Sequence, residues 1–264
     1  MNFELETLDL SAASKEKCDA LVVLISSSFK PGKDVLSLLV AHALKAGDLE
    51  AKPGKTLALY RPAGLACVRA VLAHAGEGSA HEVNKAVKAA VSAAKGGNVK
   101  KLVICFATVP LDAQLRAAVT AAAEASYVFT TTQSKPQGRV IQRVLIGVSD
   151  TSGLKPVFDH AVAAVAGIEF AKEWANRPAN HATPELLAGA AHALAKFPNI
   201  KCEALGPKQV QKLGMGAFMA VAQGSEEPLR FIVLRYSGAV KSEAPTVLVG
   251  KGVTFDSGGI SIKP

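Results

Sequence analysis

The first 150 residues alternate short apolar runs with longer segments whose apolar residues recur at helical spacing. Residues 20–25 are continuously apolar, which is typical of a strand buried on both faces of a sheet. Residues 35–44 repeat apolar pairs at the spacing of an amphipathic helix, and Asp34 is placed to cap its N-terminus. Repeated β-α-β units of this kind favour a largely parallel sheet with helices on both faces. We therefore predict an α/β fold for this region.

The remaining segments of the region continue the alternation. Ser79 and Glu82 have the spacing of a capping box, which predicts a helix that ends near the glycine pair at 96–97. The alanine-rich residues 112–125 predict a further helix, because alanine has the highest helix propensity. The other predicted strands cover residues 56–60, 68–73, 102–107 and 140–148.

The second half of the chain predicts a linker helix and a second α/β region. Residues 153–175 are apolar at helical spacing and precede a cluster of turn-forming residues. Thr183 and Pro184 have the pattern of a helix N-terminus, and the predicted strands are residues 200–204, 229–236 and 246–249. We therefore divide the chain into an N-terminal α/β domain (1–152), a linker helix (153–175) and the beginning of a second domain (176–264).

Targeting and redox features favour a cytoplasmic protein. No apolar run approaches the roughly 20 residues that span a membrane, and the N-terminal MNFELETLDL is acidic where a signal peptide is basic. With aromatic residues at 5%, the core is built largely from Ala, Val and Leu. The four cysteines are scattered, which indicates reduced and mostly buried thiols: Cys18, Cys67, Cys105 and Cys202.

Charge and histidines give weak signals of binding. The formal net charge is +8, but it is spread along the chain, whereas a nucleic-acid-binding face needs clustered Lys and Arg. His42, His74 and His81 are isolated, and we expect each to lie at the surface or the core edge rather than to act as a ligand.

The residues that carry chemistry are concentrated in the last twenty positions, PTVLVGKGVTFDSGGISIKP. Lys251, Asp256 and Lys263 lie there beside several glycines, which is unusual at the end of a buried strand because an unpaired buried charge is costly. One interpretation is a strand with a glycine turn and solvated lysines. A phosphate-binding P-loop is excluded, because its first glycine would fall at Pro245 and its Ser or Thr at Gly252.

A metal centre is the remaining functional interpretation of these three residues. Asp256 supplies a hard oxygen ligand of the kind that divalent cations use. A lysine can bind a metal only as the neutral amine, so a nearby dication would have to lower the pKa of Lys251 far below the usual value of about 10.4.

The run VGKGVTFDSGGISIKP closely resembles the signature of the leucyl aminopeptidase family, the two-metal cytosolic aminopeptidases. Two further strings strengthen the resemblance. NRPANHATP is similar to the start of the family's catalytic domain, and AQGS at 222–225 follows a glycine-rich segment as it does in family members. The resemblance covers residues 165–264, while residues 1–150 match in architecture alone, as a non-catalytic α/β domain.

The resemblance implies a metal-dependent aminopeptidase that releases N-terminal amino acids, preferably leucine, from peptides. Lys251 would ligate the tighter metal, Asp256 would bridge both metals, and Lys263 would be the catalytic lysine that polarises the scissile carbonyl. The implied cofactors are two divalent ions, Mn²⁺ or Zn²⁺, with bicarbonate as general base. The implied assembly is a homohexamer.

The family's other metal ligands and its bicarbonate-binding arginine lie downstream of this lysine. We therefore expect the 264-residue chain to lack them and to be inactive alone. Two alternatives stay open: a non-catalytic module that binds nucleic acid or nucleotide, and a regulatory or assembly fragment. Steep salt dependence of binding would favour nucleic acid, and metal-dependent hydrolysis by a complete version would favour the enzyme.

Overall fold

The computed structural model describes residues 1–95, 97–240 and 242–255. The chain forms two compact units, and the division lies between Ala171 and Lys172. We call residues 1–171 the first unit and the residues from Lys172 onward the second unit.

A six-stranded sheet forms the centre of the first unit, and its order is β1-β6-β5-β2-β4-β3. Every neighbouring pair is parallel except β3 and β4, which form an antiparallel hairpin at one edge. The predicted α/β fold with a mostly parallel sheet is therefore confirmed. The strands are β1 (Asn2–Thr7), β2 (Ala20–Ile25), β3 (Thr56–Tyr60), β4 (Arg69–His74), β5 (Lys101–Phe106) and β6 (Arg143–Val148).

Helices cover both faces of this sheet, as predicted. One apolar cluster joins alternate residues of β2 to three of the helices, α3, α4 and α5, and the other cluster joins the intervening residues of β2 to α1 and α2. The contact between α3 and α4 is rich in alanine on both sides. The helices of this region are α1 (Leu10–Lys15), α2 (Val35–Ala46), α3 (Ala80–Ala94), α4 (Asp112–Ser126) and α5 (Lys155–Ala175).

Local capping explains where two of these helices begin. The Asp34 carboxylate accepts a hydrogen bond from the Ser37 backbone N–H at 2.8 Å, which fixes the start of α2. At α3, the Ser79 backbone N–H donates to the Glu82 carboxylate at 3.0 Å, and the Glu82 N–H donates to the Ser79 hydroxyl at 3.3 Å. Both predicted caps are thus confirmed. Strand β1 and helix α1 were not predicted.

The predicted linker helix corresponds to α5. Phe158, Ala161 and Val165 are buried in the core of the first unit, so the first part of this helix belongs to that core. No helix in the described ranges is long and apolar enough to cross a membrane.

The second unit contains a short two-stranded antiparallel sheet and three α-helices among its described residues. Thr183 caps the first of these helices, because its side chain accepts a hydrogen bond from the Leu186 N–H at 3.3 Å. The elements are a 3-10 helix (Ala179–His181), α6 (Pro184–Leu194), β7 (Ile200–Leu205), α7 (Pro207–Lys212), α8 (Gly216–Ala222) and β8 (Phe231–Tyr236).

The predicted strand at 246–249 is wrong for this structure. These residues have no regular secondary structure, and Val247, Leu248 and Val249 are 74%, 93% and 92% exposed. A strand forms only when a neighbour satisfies its backbone N–H and C=O groups, and no described strand pairs with this segment. The apolar sequence is therefore not sufficient for a strand here.

Burial of the cysteines follows the prediction. All four thiols are free; Cys18, Cys67 and Cys105 are buried, and Cys202 is half-buried. Burial raises the pKa of the Cys18 thiol, and likewise that of Cys105, to about 12. These thiols stay protonated at neutral pH, so they are poor nucleophiles.

His74, the last residue of β4, is buried, with 2% of its surface exposed. Its Nδ1 accepts a hydrogen bond from the Gly76 backbone N–H at 3.0 Å, which requires that this nitrogen carry no proton. Burial lowers the pKa of His74, against the opposing effect of the carboxylates of Glu77 and Glu82. The folded state therefore favours the neutral imidazole.

Replacing Ser79 by alanine tests the cap of α3. We expect Ser79→Ala to lower the free energy of unfolding by about 1 kcal/mol, because the first turn loses a hydrogen-bond acceptor. Ser92→Ala is the matched control, since Ser92 is exposed on the same helix. Urea unfolding measures both, and equal midpoints for the two variants would contradict the role of the cap.

The neutral state of His74 makes stability depend on pH. Its folded-state pKa lies below the usual value of about 6.5, so the unfolded chain takes up more protons as the pH falls below that value. The stabilisation is complete above the unfolded-state pKa and is lost as the pH falls through the lowered folded-state pKa. When the pH is lowered from 7.5 to below the folded-state pKa of His74, we expect the free energy of unfolding to fall more for the wild type than for His74→Asn.

Urea midpoints at several pH values measure this difference. His42→Asn is the control, because it removes an imidazole from an exposed position. The assignment fails if the two asparagine variants change in parallel.

Candidate functional site

The segment between β8 and the end of the described residues contains one of the three predicted site residues. Lys251 is exposed and lies in a stretch without regular secondary structure. Asp256 and Lys263 lie outside the described residues. The structure therefore gives no distances among the three, and their assignment as a site stays a prediction.

The described residues contain no group of three or more His, Cys, Asp or Glu side chains that could hold a metal ion. The predicted ligand set of this chain is an amine nitrogen and a carboxylate oxygen, from Lys251 and Asp256. Catalytic zinc sites use three protein ligands and a water molecule. A ligand set of this size would be too small to hold a metal pair, and we assign no catalytic step to the described residues.

The string at 176–184 forms the junction between α5 and α6. The Arg177 guanidinium stacks on the Trp174 ring, 4.0 Å from its centroid, and pairs with the Glu173 carboxylate at 3.0 Å. These contacts hold the chain at the end of α5, and Thr183 then begins α6. The residues of this string thus have clear structural roles at the start of the second unit.

The chain between this junction and Lys251 is held by a few specific contacts. Phe218 on α8 packs edge-on against Phe231 on β8, with ring centroids 5.7 Å apart and planes at 82°. Arg230 forms an ion pair with Glu185 of α6. These contacts connect α6, α8 and β8, the elements that precede the Lys251 segment.

The segment itself is apolar and exposed. In addition to residues 247–249, Phe255 is 64% exposed, close to the predicted bridging aspartate in sequence. Large apolar side chains in one exposed stretch mark a surface that another segment or molecule covers. The charge of Lys251 lies between these apolar residues in the sequence.

Comparison with known protein families shows which family the chain matches. The family model described as the catalytic domain of the cytosol aminopeptidase family matches residues 169–264, and the model of that family's N-terminal domain matches residues 26–136.

The chain belongs to the cytosol aminopeptidase family. The resemblance that the motifs gave is therefore confirmed, and the matched catalytic portion includes all three predicted site residues. The N-terminal match adds what the motifs could not give, because residues 1–150 contain no chemical signature of the family.

One curated relative, a probable cytosol aminopeptidase of Albidiferax ferrireducens, is 80% identical over all 264 residues, which make up 55% of its length. A second, from Polaromonas sp., is 60% identical and is covered to 53%. The chain thus spans about half the length of the curated relatives that it matches.

Solved structures agree in fold. A tomato leucine aminopeptidase mutant superposes with a TM-score of 0.82 at 23% identity, over 98% of this chain and 55% of that one. The bottromycin maturation enzyme BotP, described in complex with Mn, superposes with a TM-score of 0.70 at 25% identity, over 94% of this chain and 50% of BotP.

Among the described residues, His74 is one that the structure singles out and the sequence pattern did not. In sequence it is an isolated histidine, although it ends a buried strand and precedes the glycine-rich string AGEGS at 75–79. That position, the carboxyl end of a parallel strand, is the signal that could have identified it.

The small number of predicted metal ligands leads to a prediction for this chain. We expect the 264-residue chain to bind Zn²⁺ or Mn²⁺ weakly and without a defined stoichiometry, because two ligands do not form a site. Calorimetric titration with each metal measures this. Tight uptake of two ions per chain would show that other residues complete the site.

Proposed function

We propose that the whole protein is a metal-dependent aminopeptidase that releases N-terminal amino acids, preferably leucine, from peptides. The observation that carries this proposal is the match of the family's catalytic-domain model to residues 169–264. The names of the relatives support it, since each is a probable cytosol aminopeptidase. The 264 residues would contribute the N-terminal domain and the first part of the catalytic domain.

The three predicted site residues would have different roles in the whole protein. Lys251 and Asp256 would act as metal ligands, and Lys263 would supply positive charge where the carbonyl oxygen becomes negative. Loss of one such charge or donor lowers turnover by about 10²–10³. Dependence on divalent cations, with Mn²⁺ or Zn²⁺ as candidates, is supported by the Mn-bound neighbour BotP.

The resemblance to the family also supports the remaining features of the proposal. These are bicarbonate as a general base, a cytoplasmic location, and a homohexamer that acts on peptide substrates. In the whole protein, the rest of the catalytic domain would cover the exposed apolar segment at 247–255.

Nucleic-acid binding gains no support from the described residues. Several of the basic side chains of the first unit are in ion pairs with carboxylates, which reduces the positive potential of the surface. The pairs include Lys55–Glu50, Lys88–Glu124, Lys101–Glu16, Arg139–Glu169 and Arg143–Glu4.

A chimera tests the proposed activity. The 264 residues can be fused to the part of the Albidiferax relative that they do not match, since the matched regions are 80% identical. We expect this chimera to hydrolyse a leucine anilide only when Mn²⁺ or Zn²⁺ is present, and the 264-residue chain to show no hydrolysis. Activity of the short chain, or a folded but inactive chimera, would contradict the proposal.

Substitution of the two lysines in the chimera tests their roles. Lys251→Ala should lower metal content, because it removes a nitrogen ligand. Lys251→Arg is the matched variant and should lower it too, since a guanidinium keeps its charge and has no lone pair to donate. Lys263→Ala should retain the metal and lower turnover by about 10²–10³.

Metal analysis and turnover are measured on the same preparations. If Lys251→Ala and Lys263→Ala deplete the metal equally, the division of roles between the two lysines is wrong.

A further inference from the structure

A cavity of about 450 Å³ opens at the carboxyl ends of β2 and β4 in the first unit. Open parallel sheets bind ligands at this edge, and the volume is in the range of small-molecule sites. The cavity is far in sequence from Lys251 and is lined entirely by residues of the N-terminal part of the chain. Its walls are Ser26, Ser27, Phe29, Leu44, Gly47, Leu49, Glu50, Ala51 and His74.

His74 gives the cavity a hydrogen-bond donor. Because Nδ1 accepts from the Gly76 N–H, the neutral ring carries its proton on Nε2. Within the described residues this Nε2–H has no hydrogen-bond partner. This nitrogen is not fully buried, so solvent reaches it from the cavity and a ligand acceptor could take the place of that water.

Ser26 and Ser27 line the same cavity as His74. The Ser27 backbone N–H and hydroxyl both donate to the Gly76 carbonyl, at 2.7 and 3.0 Å, which holds the loop after β2 against the loop after β4. The hydroxyls of Ser26 and Ser28 are 2.9 Å apart. Of this pair Ser26 lines the cavity, and its hydroxyl can rotate to donate a hydrogen bond to a ligand acceptor.

Gly47 and Glu50 also line the cavity. Helix α2 ends at Ala46 with Gly47 as its C-cap, and the C-terminus of a helix carries partial negative charge. The Glu50 carboxylate adds a full charge, with Lys55 Nζ at 2.8 Å and Lys52 Nζ at 3.5 Å. Both signs of charge are therefore present at the rim.

Apolar side chains complete the wall. Leu49 is buried, and Phe29 and Leu44 are partly buried and pack against the same apolar cluster. The nearby loop at 76–79 does not offer an anion site, because its N–H groups are bound to His74, to the Ala75 carbonyl and to the Glu82 carboxylate. A phosphate ligand is disfavoured for that reason.

We propose that this cavity binds a free aliphatic α-amino acid. Its carboxylate would accept hydrogen bonds from His74 Nε2–H and the Ser26 hydroxyl. Its ammonium group would face Glu50 and the C-terminus of α2, and its side chain would pack on Phe29, Leu44 and Leu49. The proposal rests on the cavity alone and does not depend on the aminopeptidase activity.

Titration of the 264-residue chain with L-leucine tests the proposal. We expect saturable binding to one site by calorimetry, with NMR shift changes at the amides of residues 26–29, 49–51 and 74–76. His74→Asn retains an oxygen acceptor for the Gly76 N–H and loses the donor in the cavity. It should weaken binding by about tenfold or more, as expected for a hydrogen bond to a charged group. The exposed-site control, His42→Asn, should bind like the wild type.

Glu50→Gln is a second test at an exposed position where folding is not at risk. It should weaken binding of L-leucine and leave unchanged the weaker binding of 4-methylpentanoate, which has no ammonium group. Glycine should bind less tightly than leucine because it lacks the aliphatic side chain.

Three results would overturn the proposal. They are no saturable binding at millimolar leucine, an unchanged affinity in folded His74→Asn, and shift changes confined to the second unit. None of them bears on hydrolysis by the chimera, so this proposal and the proposed activity can fail separately.

Discussion

Strand β2 is the element on which the first unit depends. Its six residues are buried on both faces, and its backbone is paired in parallel with β4 on one side and β5 on the other. Side chains alternate along a strand, so Ala20, Val22 and Leu24 enter one apolar cluster while Leu21, Val23 and Ile25 enter the other. This short strand thus contacts both helix layers. Ser26 and Ser27 follow it directly in the chain and line the cavity at the carboxyl end of the strand.

Features encoded within a few residues could be predicted from the sequence. The β2 run, the Asp34 cap and the Ser79–Glu82 box need no information from distant residues, and the structure confirms them. The edge strand β1 was missed although its pattern, NFELET, alternates as a half-buried strand does. The segment at 246–249 shows the converse case, since its apolar sequence is that of a strand but its pairing depends on a partner that local sequence cannot supply.

The sequence likewise predicted only part of the function, namely the family but not the geometry of the site. The string around Lys251 identified the family because the spacing of its lysines, aspartate and glycines is specific, and the family models agree. The geometry of the site could not follow from the same string, because a metal pair needs ligands from several segments. His74 is an isolated histidine in the sequence, and its position at the end of a buried strand is the only local signal that it carries. Its place in the cavity results from sheet topology, which brings the ends of β2 and β4 together across about fifty residues of chain.

The alanine-rich contact between α3 and α4 has a further consequence for the mechanics of the first unit. Ala86, Ala90 and Ala94 on one helix, with Ala118 and Ala122 on the other, are buried in the same cluster. Alanine has no side-chain rotamers, so ordering these residues costs no side-chain entropy, although each also removes little apolar area from water. The spacing of the two helices is therefore set by their backbones. A contact of this kind has no side-chain rearrangement with which to absorb a displacement, so α3 and α4 should move as one rigid layer.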